Sequence, residues 1–270
     1  MVEDLDLDLE KVTWEELIDA AKENDKLLGV QGAKEESLAV WINAMMASAG
    51  GEIITSNADR SDEIELGLDS EEAKRAAEII STIGKEGLGG PGLPTADENA
   101  SMNLFQGEQG SFMVNWPFIW RAIAEANEDL IDDIGWAMYP VTDQDGEPAP
   151  PFGGVNLAVS SHSNNIDLAF DAIECIVQPE HQTAFFLTDG IAPSTTEAYD
   201  DEEVQEKFPM ADLIRDSLEV AVPRPKTPFY NEISLGLQNT WHPPSAINPD
   251  LTPGASQDYI TQVLRGEKLL

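Results

Sequence analysis

Apolar residues recur along this chain with two different spacings, and the two spacings predict a mixture of helices and strands. Apolar residues three to four positions apart predict helices over Trp14–Lys26, Glu35–Ala49, Ser70–Ile83, Ala96–Gln106, Pro117–Asn127, Asn165–Val177, Pro179–Leu187, Phe208–Leu218, Tyr230–Asn239 and Ser256–Arg265. Short apolar runs bounded by turn residues predict strands at Leu27–Gln31, Glu52–Thr55, Gly110–Asn115, Ile134–Met138 and Phe152–Val159. Helices and strands mix throughout, so the predicted fold class is α/β.

Two of the predicted helices carry more specific expectations. Thr13 and Glu16 have the spacing of a capping box, in which each side chain satisfies the backbone N–H of the other residue. The helix at Asn165–Val177 is expected to face inward through Ile166, Ala169, Phe170, Ile173 and Ile176. Cys175, the only cysteine, lies among these apolar residues and is interpreted as a buried structural thiol.

The first ten residues alternate acidic and apolar side chains, and they are interpreted as the last turn of a helix and a linker. They contain no basic region, apolar core or cleavage site, so they do not form a signal peptide. A chain that begins in the middle of an element is expected to lack the first part of its protein.

The net charge of the chain limits the classes of molecule that it is expected to bind. Its 270 residues include 51 Asp and Glu against 15 Lys and Arg, for a formal net charge of −36. Such a charge repels nucleic acid and anionic lipid, so neither is an expected partner. Acids dispersed over a folded surface with few lysines favour adaptation to high salt, where screening reduces repulsion; an ordinary acidic protein is the alternative.

Familiar enzyme and metal-site motifs are missing from the sequence. It has no nucleophile elbow, zinc-protease helix, P-loop or dinucleotide fingerprint, and its three histidines lie in unrelated contexts. Among 51 acids some pair will always suit a glycosidase, so acidity alone is uninformative. The sequence therefore predicts neither catalysis nor a metal or cofactor.

An aromatic cluster at Asn115–Trp120 is the strongest indication of a binding site. Trp116, Phe118 and Trp120 lie where Pro117 interrupts regular pairing. Large rings on a loop need covering, either by the protein's own core or by a ligand. A flat ring beside polar groups suits a sugar, which has an apolar C–H face and a rim of hydroxyls.

Several short sequence motifs occur in an order that resembles a known protein family. They are Thr13–Leu17, Gly50–Glu52, Phe105–Gly107 leading to Asn115–Trp120, Phe152–Gly154, Gly190–Pro193 and Val222–Pro225. Together they resemble the family 1 extracellular solute-binding proteins of ABC importers, the maltose/trehalose-binding branch in particular, and the acidity resembles a haloarchaeal member.

The resemblance implies a type II periplasmic-binding-protein fold with two lobes, the first part of one lobe being absent. Residues 1–151 are then expected to form mostly the second, C-terminal lobe. Residues 152–220 would be a return segment in the first lobe, and residues 221–270 a hinge return with C-terminal helices on the second lobe. The full-length form would be a lipid-anchored monomer at the extracellular face of the membrane, delivering a small-molecule sugar to an ABC permease.

The resemblance also implies which residues bind the ligand. Phe118 stands where relatives stack a ring on a sugar, with Trp116 and Trp120 beside it, and Trp120 could equally pack in the core. The other implied positions are the acid Glu36, the close-approach glycines Gly153 and Gly154, and Asn156, Arg224 and Tyr230. Glu36 could instead stabilise a helix dipole, and Arg224 could instead pair with an acid. Val155 stands where relatives often have Trp.

Three other functions remain open at this point. The chain could bind a non-sugar solute such as a glycerol phosphate ester, it could be an inactive truncated remnant, or it could be an acidic glycosidase. Phosphate would need an arginine or a helix N-terminus in the site, and a glycosidase would need two carboxylates flanking a bond.

Overall fold

The computed structural model describes residues 7, 8 and 10–270. The predicted helix turn and linker over the first ten residues fall mostly outside these residues, so they stay a prediction.

The described residues form eleven α-helices, α1 to α11: Trp14–Glu23, Glu36–Ser48, Glu71–Lys85, Glu98–Phe105, Phe118–Ala126, Ile166–Ile176, Pro179–Asp189, Glu202–Lys207, Ala211–Val220, Tyr230–Trp241 and Thr252–Leu264. All ten predicted helices are present, and α8 was not predicted. The six strands in the same residues, β1 to β6, are Leu27–Gly29, Ile54–Ser56, Glu65–Leu66, Gly110–Met113, Pro151–Phe152 and Val222–Pro223.

The strands pair two by two. β1 pairs with β4 and β5 with β6, both in parallel, whereas β2 and β3 are antiparallel. Two strand predictions were wrong. Residues 134–138 form no strand, and the run at Phe152–Val159 is a strand only at Phe152. In both cases the apolar run has no neighbouring strand to bond with among the described residues.

The chain divides into two compact units. Unit 1 contains residues 1–115, 137–152 and 220–270, and unit 2 contains residues 116–136 and 153–219. The assignment of these units to the lobes of a binding protein stays a prediction.

Unit 1 has a large core built on α2. Eleven residues of α2 are buried, from Ser37 to Met46 and Ser48, so the helix is covered on all sides. Trp41 of α2 lies 5.9 Å from Trp14 of α1, measured between ring centroids. α1 begins at the predicted capping box: the Thr13 hydroxyl accepts from the Glu16 N–H at 3.2 Å, and Glu16 Oε2 accepts from the Thr13 N–H at 2.8 Å. The capping-box prediction is confirmed.

Unit 2 has a smaller core around three aromatic rings. Phe186 stacks on Phe208 at 4.1 Å and meets the edge of Tyr199 at 5.9 Å. The Tyr199 hydroxyl donates to the Pro193 carbonyl at 2.8 Å, and burial raises the pKa of this phenol. Every residue of unit 2 is described, and none of them lies in a strand.

Helix α6 corrects two expectations. It was predicted to face inward, yet none of its residues is buried. Cys175, predicted to be a buried thiol, is exposed. The main contact of α6 is with α7, so most of its apolar residues have nothing packed over them in the described part of the chain.

Candidate functional site

An extended segment of unit 1, residues 221–226, is fixed at several points along its length. Its first residues form β6, and the Val222 N–H donates to the Pro150 carbonyl at 2.9 Å. Farther along, the Lys226 carbonyl accepts from the Asn57 amide at 2.8 Å. Prolines in alternate positions keep the segment out of a helix, as the sequence predicts. This anchored backbone holds Arg224 in a defined position.

Glu36, in the first turn of α2, receives three side-chain hydrogen bonds. Its Oε1 accepts from Arg224 Nη1 at 2.7 Å and from the Tyr230 hydroxyl at 2.5 Å. Its Oε2 accepts from the hydroxyl of Ser234. The structure therefore brings together Glu36, Arg224 and Tyr230, three of the residues that the sequence nominated. We call these residues, with Ser234 and Gln238, the Glu36 cluster.

The Glu36 cluster lies between solvent and core. Ser234 and Gln238 are buried, whereas the side chains of Arg224 and Glu36 are 29% and 44% exposed. Burial, and then the hydrogen bond to the Glu36 carboxylate, raises the pKa of the Tyr230 phenol above its ordinary value. Tyr230 therefore remains a protonated donor throughout the neutral range.

Ser234 and Gln238 are members of the cluster that the sequence analysis missed. Tyr230, Ser234 and Gln238 lie four residues apart on α10, so their side chains share one face of that helix. The Gln238 amide donates to the Ser234 hydroxyl at 3.0 Å. Hydrogen-bonding residues at this spacing, which places them on one helix face, were the available indication.

This arrangement suits recognition of a hydroxyl-rich molecule. Among the described residues, every hydrogen-bond partner of the Glu36 carboxylate is a donor, and no second carboxylate joins it. A carboxylate can accept about four hydrogen bonds, so one accepting site is left for a ligand hydroxyl. Charge-assisted hydrogen bonds of this kind are stronger than neutral ones.

In unit 2, the predicted glycine at 153 lies directly against the predicted ring at 116. A Cβ atom added to Gly153 would meet the Trp116 indole at 2.8 and 3.0 Å. Only a residue without a side chain allows this approach of backbone to ring. Gly153, which was expected to allow close approach of a ligand, therefore also allows the indole of Trp116 to pack against the backbone.

Phe118 is the first residue of α5 and is half-buried. Its backbone lies against Gly190, where a Cβ atom would approach the Phe118 Cα at 3.2 Å. Gly190 ends α7 with φ of +72°, a conformation that favours glycine. The ends of two helices thus fix the backbone that carries the Phe118 ring.

The remaining predicted residues of unit 2 divide between core and surface. Trp120 is 8% exposed, its indole N–H donates to the Lys207 carbonyl at 3.0 Å, and its ring meets Trp136 edge-on at 5.7 Å. Trp120 therefore packs in the core, the alternative that the sequence left open. Gly154 and Asn156 are exposed.

The predicted site residues thus belong to two groups, one in each unit. Glu36, Arg224 and Tyr230 belong to unit 1, and the aromatic and glycine positions belong to unit 2. Within the described residues, no three His, Cys, Asp or Glu side chains are grouped to hold a metal ion. None of the helices in this part of the chain has the length and apolar character to cross a membrane.

Solved structures share this fold. Maltose-bound MalE3 of T. maritima superposes with a TM-score of 0.82 at 23% identity, over 99% of this chain and 68% of that one. A solute-binding protein of Thermotoga lettingae bound with α-D-tagatose gives a TM-score of 0.78 at 22% identity, over 94% of this chain and 65% of that one. The GacH receptor of Streptomyces glaucescens, solved with and without acarbose, gives 0.78 at 20% identity, over 96% and 65%. The fold is therefore the α/β fold of maltose-binding-type periplasmic binding proteins.

Sequence comparison identifies the family. The family described as bacterial extracellular solute-binding protein matches residues 6–211, more than half of the chain. A probable ABC transporter-binding protein of Deinococcus radiodurans is 28% identical over 272 residues, which cover 94% of this chain and 61% of that protein. The chain belongs to the bacterial extracellular solute-binding protein family, and it spans about three fifths of the length of this curated relative. At the family level these are binding proteins rather than enzymes.

Proposed function

We propose that this protein is the sugar-binding component of an ABC-type importer for maltose- or trehalose-like oligosaccharides. The solute would be held in a cleft between lobes by aromatic stacking and by hydrogen bonds to its hydroxyls. Family membership supports the role in solute binding. The sugar is a proposal drawn from the chemistry of the candidate residues, and the neighbours solved with maltose, tagatose and acarbose point the same way.

The Glu36 cluster is the observation that carries the proposal. Three donors orient the Glu36 carboxylate, while almost half of its side-chain surface is still exposed. A carboxylate oriented in this way is preorganised to accept from a sugar hydroxyl, because it loses little rotamer freedom on binding. Arg224 and Tyr230 would position this carboxylate and border the ligand.

The aromatic group of unit 2 would supply the apolar part of the site. Phe118 would stack on the C–H face of a sugar ring, with Trp116 beside it, and Trp120 would support them from the core. Gly153, Gly154 and Asn156 would present backbone and amide groups to the ligand rim. Phe118 has no hydroxyl or indole N–H, so all its contribution would come from the ring face.

The same proposal extends to partners and location. The family name supports an extracellular position for the protein. We further propose a lipid anchor and a membrane permease for the full-length form, which would act as a monomer. Its first lobe would contain residues 152–220 and a further part outside these 270 residues, and the excess of 51 acids over 15 bases would reflect a haloarchaeal, salt-adapted protein.

Two competing functions receive less support from the candidate site. A phosphate ester would need a free guanidinium, but Arg224 already pairs with Glu36 at 2.7 Å. A glycosidase would need a second carboxylate at the bond to be cleaved, and the described partners of Glu36 are all donors.

A ligand panel tests the proposal. Maltose, trehalose and glycerol 3-phosphate would each be added to the protein in molar KCl, and the melting temperature and the mass of the recovered ligand would be measured. We expect a rise in melting temperature with maltose or trehalose and recovery of the sugar unchanged. A rise with glycerol 3-phosphate alone, or cleavage of the disaccharide, would contradict the proposal. Binding of none of the three would favour an inactive remnant.

A further inference from the structure

The two carboxylate oxygens of Glu36 have different partners. Oε1 accepts from Arg224 Nη1 at 2.7 Å and from the Tyr230 hydroxyl at 2.5 Å. Among the described residues, Oε2 accepts only from the Ser234 hydroxyl. Each carboxylate oxygen has about two lone pairs, so both lone pairs of Oε1 are used and one lone pair of Oε2 is left. A ligand hydroxyl that donates to Glu36 therefore donates to Oε2, beside Ser234.

The Ser234 hydroxyl fixes the plane of the Glu36 carboxylate. The two donors on Oε1 hold one oxygen in place, but they still allow the carboxylate to turn about its last carbon–carbon bond. The hydrogen bond from Ser234 holds the second oxygen, and two fixed oxygens define the plane. Because the lone pairs lie near that plane, Ser234 sets the direction from which a ligand hydroxyl can bind.

Gln238 orients the Ser234 hydroxyl. A serine inside a helix can donate its single proton to the carbonyl four residues earlier, which is here the carbonyl of Tyr230. Gln238 Nε2 donates to the Ser234 oxygen at 3.0 Å and occupies one of its lone pairs. This bond fixes the remaining directions of the hydroxyl, whose proton points to Glu36 Oε2. The three side chains thus form a chain of donors from Gln238 through Ser234 to Glu36.

The two donors of this chain are buried. Ser234 is 3% exposed and Gln238 is 7% exposed, and both lie on α10, which packs against α2 and α11. A buried amide is costly unless it is hydrogen-bonded, and a buried polar chain whose members are paired holds a single arrangement. Since Ser234 stands between Gln238 and Glu36, Gln238 acts on the carboxylate through that serine.

We propose that Gln238 is a positioning residue of the sugar site, and that through Ser234 it holds Glu36 Oε2 ready for one donating hydroxyl of the ligand. This inference rests on the proposed function, and it adds the atom that accepts and the kind of group that must donate. An ether oxygen, a carboxylate or a fully ionised phosphate has no proton to give to Oε2. This part of the site therefore selects neutral hydroxyl groups.

A double-mutant cycle tests whether Gln238 acts through Ser234. Maltose would be titrated calorimetrically, in molar KCl, into the 270-residue chain and into Ser234→Ala, Gln238→Met and the double variant. Methionine has nearly the size of glutamine but donates no hydrogen bond. We expect each single substitution to weaken binding by about five- to tenfold, and the double variant to bind as Ser234→Ala does. Losses that multiply in the double variant would overturn the proposal.

Gln238→Glu repeats the test with a side chain of unchanged shape. The introduced side chain differs from glutamine only in the group that faces Ser234. An ionised carboxylate accepts a hydrogen bond there and draws the Ser234 proton away from Glu36. Maltose binding should therefore weaken at least as much as in Gln238→Met, and an affinity equal to that of the parent protein would contradict the role of Gln238 as a donor.

Ligands that lack one hydroxyl show whether the effect occurs at Oε2. For the 270-residue chain we expect one of the monodeoxy maltoses to bind at least about tenfold more weakly than maltose, because a bond to a charged acceptor is lost. In Gln238→Met the ratio for that analogue should fall toward one, and the ratios for the other analogues should not change. A merely structural role of Gln238 would leave every ratio as in the parent protein, and that result would overturn the proposal.

A neighbouring amide on the same helix provides the control. Asn239 is exposed and donates to the Tyr259 hydroxyl at 3.3 Å, outside the Glu36 cluster, so Asn239→Met should bind maltose as the parent protein does. Thermal melts establish that each variant is folded. Full affinity in both Ser234→Ala and Gln238→Met would overturn this inference and leave the proposed function standing. Absence of binding in the parent protein would overturn both.

Discussion

The two units of this protein each contain a helix that is apolar on most sides, but the two helices are buried to different degrees. In unit 1, α2 is apolar on most sides and eleven of its residues are buried. In unit 2, α6 is also apolar on most sides and has no buried residue. The contrast shows that the apolar pattern of a helix does not by itself determine its burial. Burial also depends on which other segments pack against the helix.

The contrast also bears on the candidate site. The Glu36 cluster stands on the well-packed unit, where α2 and α10 fix its members. The aromatic group depends on the smaller core, in which Trp120 packs beside Phe186 and Phe208. We therefore expect the Glu36 cluster to be more rigid than the aromatic group of unit 2.

Lowering the salt concentration should have the largest effect on stability, and the effect should differ between the two units. With 51 acids, repulsion grows as screening is removed, and the smaller core has less burial to offset it. On dialysis from molar to millimolar KCl we expect loss of helical circular dichroism. Hydrogen exchange should show amides of α7 and α9 losing protection before those of α2 and α3.

Unchanged circular dichroism after dialysis would remove the inference of salt adaptation. Simultaneous loss of protection in both units would contradict the difference in core strength.

Two phenylalanines of unit 2 test where its core ends. Phe186 is fully buried, and Phe170 is 54% exposed. Phe186→Ala should lower the free energy of unfolding by about 3–5 kcal/mol, because it leaves a cavity. Phe170→Ala in the 270-residue chain should change it by no more than about 0.5 kcal/mol. Urea unfolding in molar KCl measures both, and a large loss for Phe170→Ala would show that α6 is packed in solution.

A neighbouring pair of glutamates tests the Glu36 cluster. Glu36→Gln removes the charge that Arg224 and Tyr230 contact, and the adjacent Glu35 is exposed and serves as the control. Because the ion pair is partly solvated, we expect Glu36→Gln to lower stability by only about 1 kcal/mol.

The same pair should differ more clearly in ligand affinity. Glu36→Gln should weaken maltose binding at least about tenfold, or about 1.4 kcal/mol, and Glu35→Gln should leave it unchanged. Equal affinities of the two variants by calorimetry would remove the Glu36 cluster from the site.

The smallest expected effect concerns pH. Burial raises the pKa of Tyr199, so the folded chain retains this proton while the unfolded chain, with a pKa of about 10, releases it. The resulting stabilisation is complete below about pH 10 and is lost as pH rises through the folded pKa. At pH 10.5 the loss should be just under 1 kcal/mol for this tyrosine, and Tyr199→Phe should remove that part of the slope in thermal melts. An unaltered slope would contradict the burial of the hydroxyl.

Local chemistry made most elements predictable. The capping box at Thr13, the helical periodicities and the Pro-rich extended segment before Tyr230 are encoded by residues close in sequence. Strand partners and burial are decided by distant segments, so residues 153–159 and α6 could not be predicted correctly. Glu36 and Arg224 could be nominated singly, but their pairing across 188 positions required the fold.

The most direct test of the central proposal is calorimetric titration of maltose into the 270-residue chain and into two of its variants, Phe118→Ala and Phe185→Ala. Phe118→Ala should weaken maltose binding by roughly 1–3 kcal/mol through lost stacking and burial. Phe185→Ala, a change at a 48% exposed ring of the same unit, should leave binding unchanged. Absence of binding heat in the parent protein, or equal affinities in the two variants, would contradict a sugar site built around Phe118.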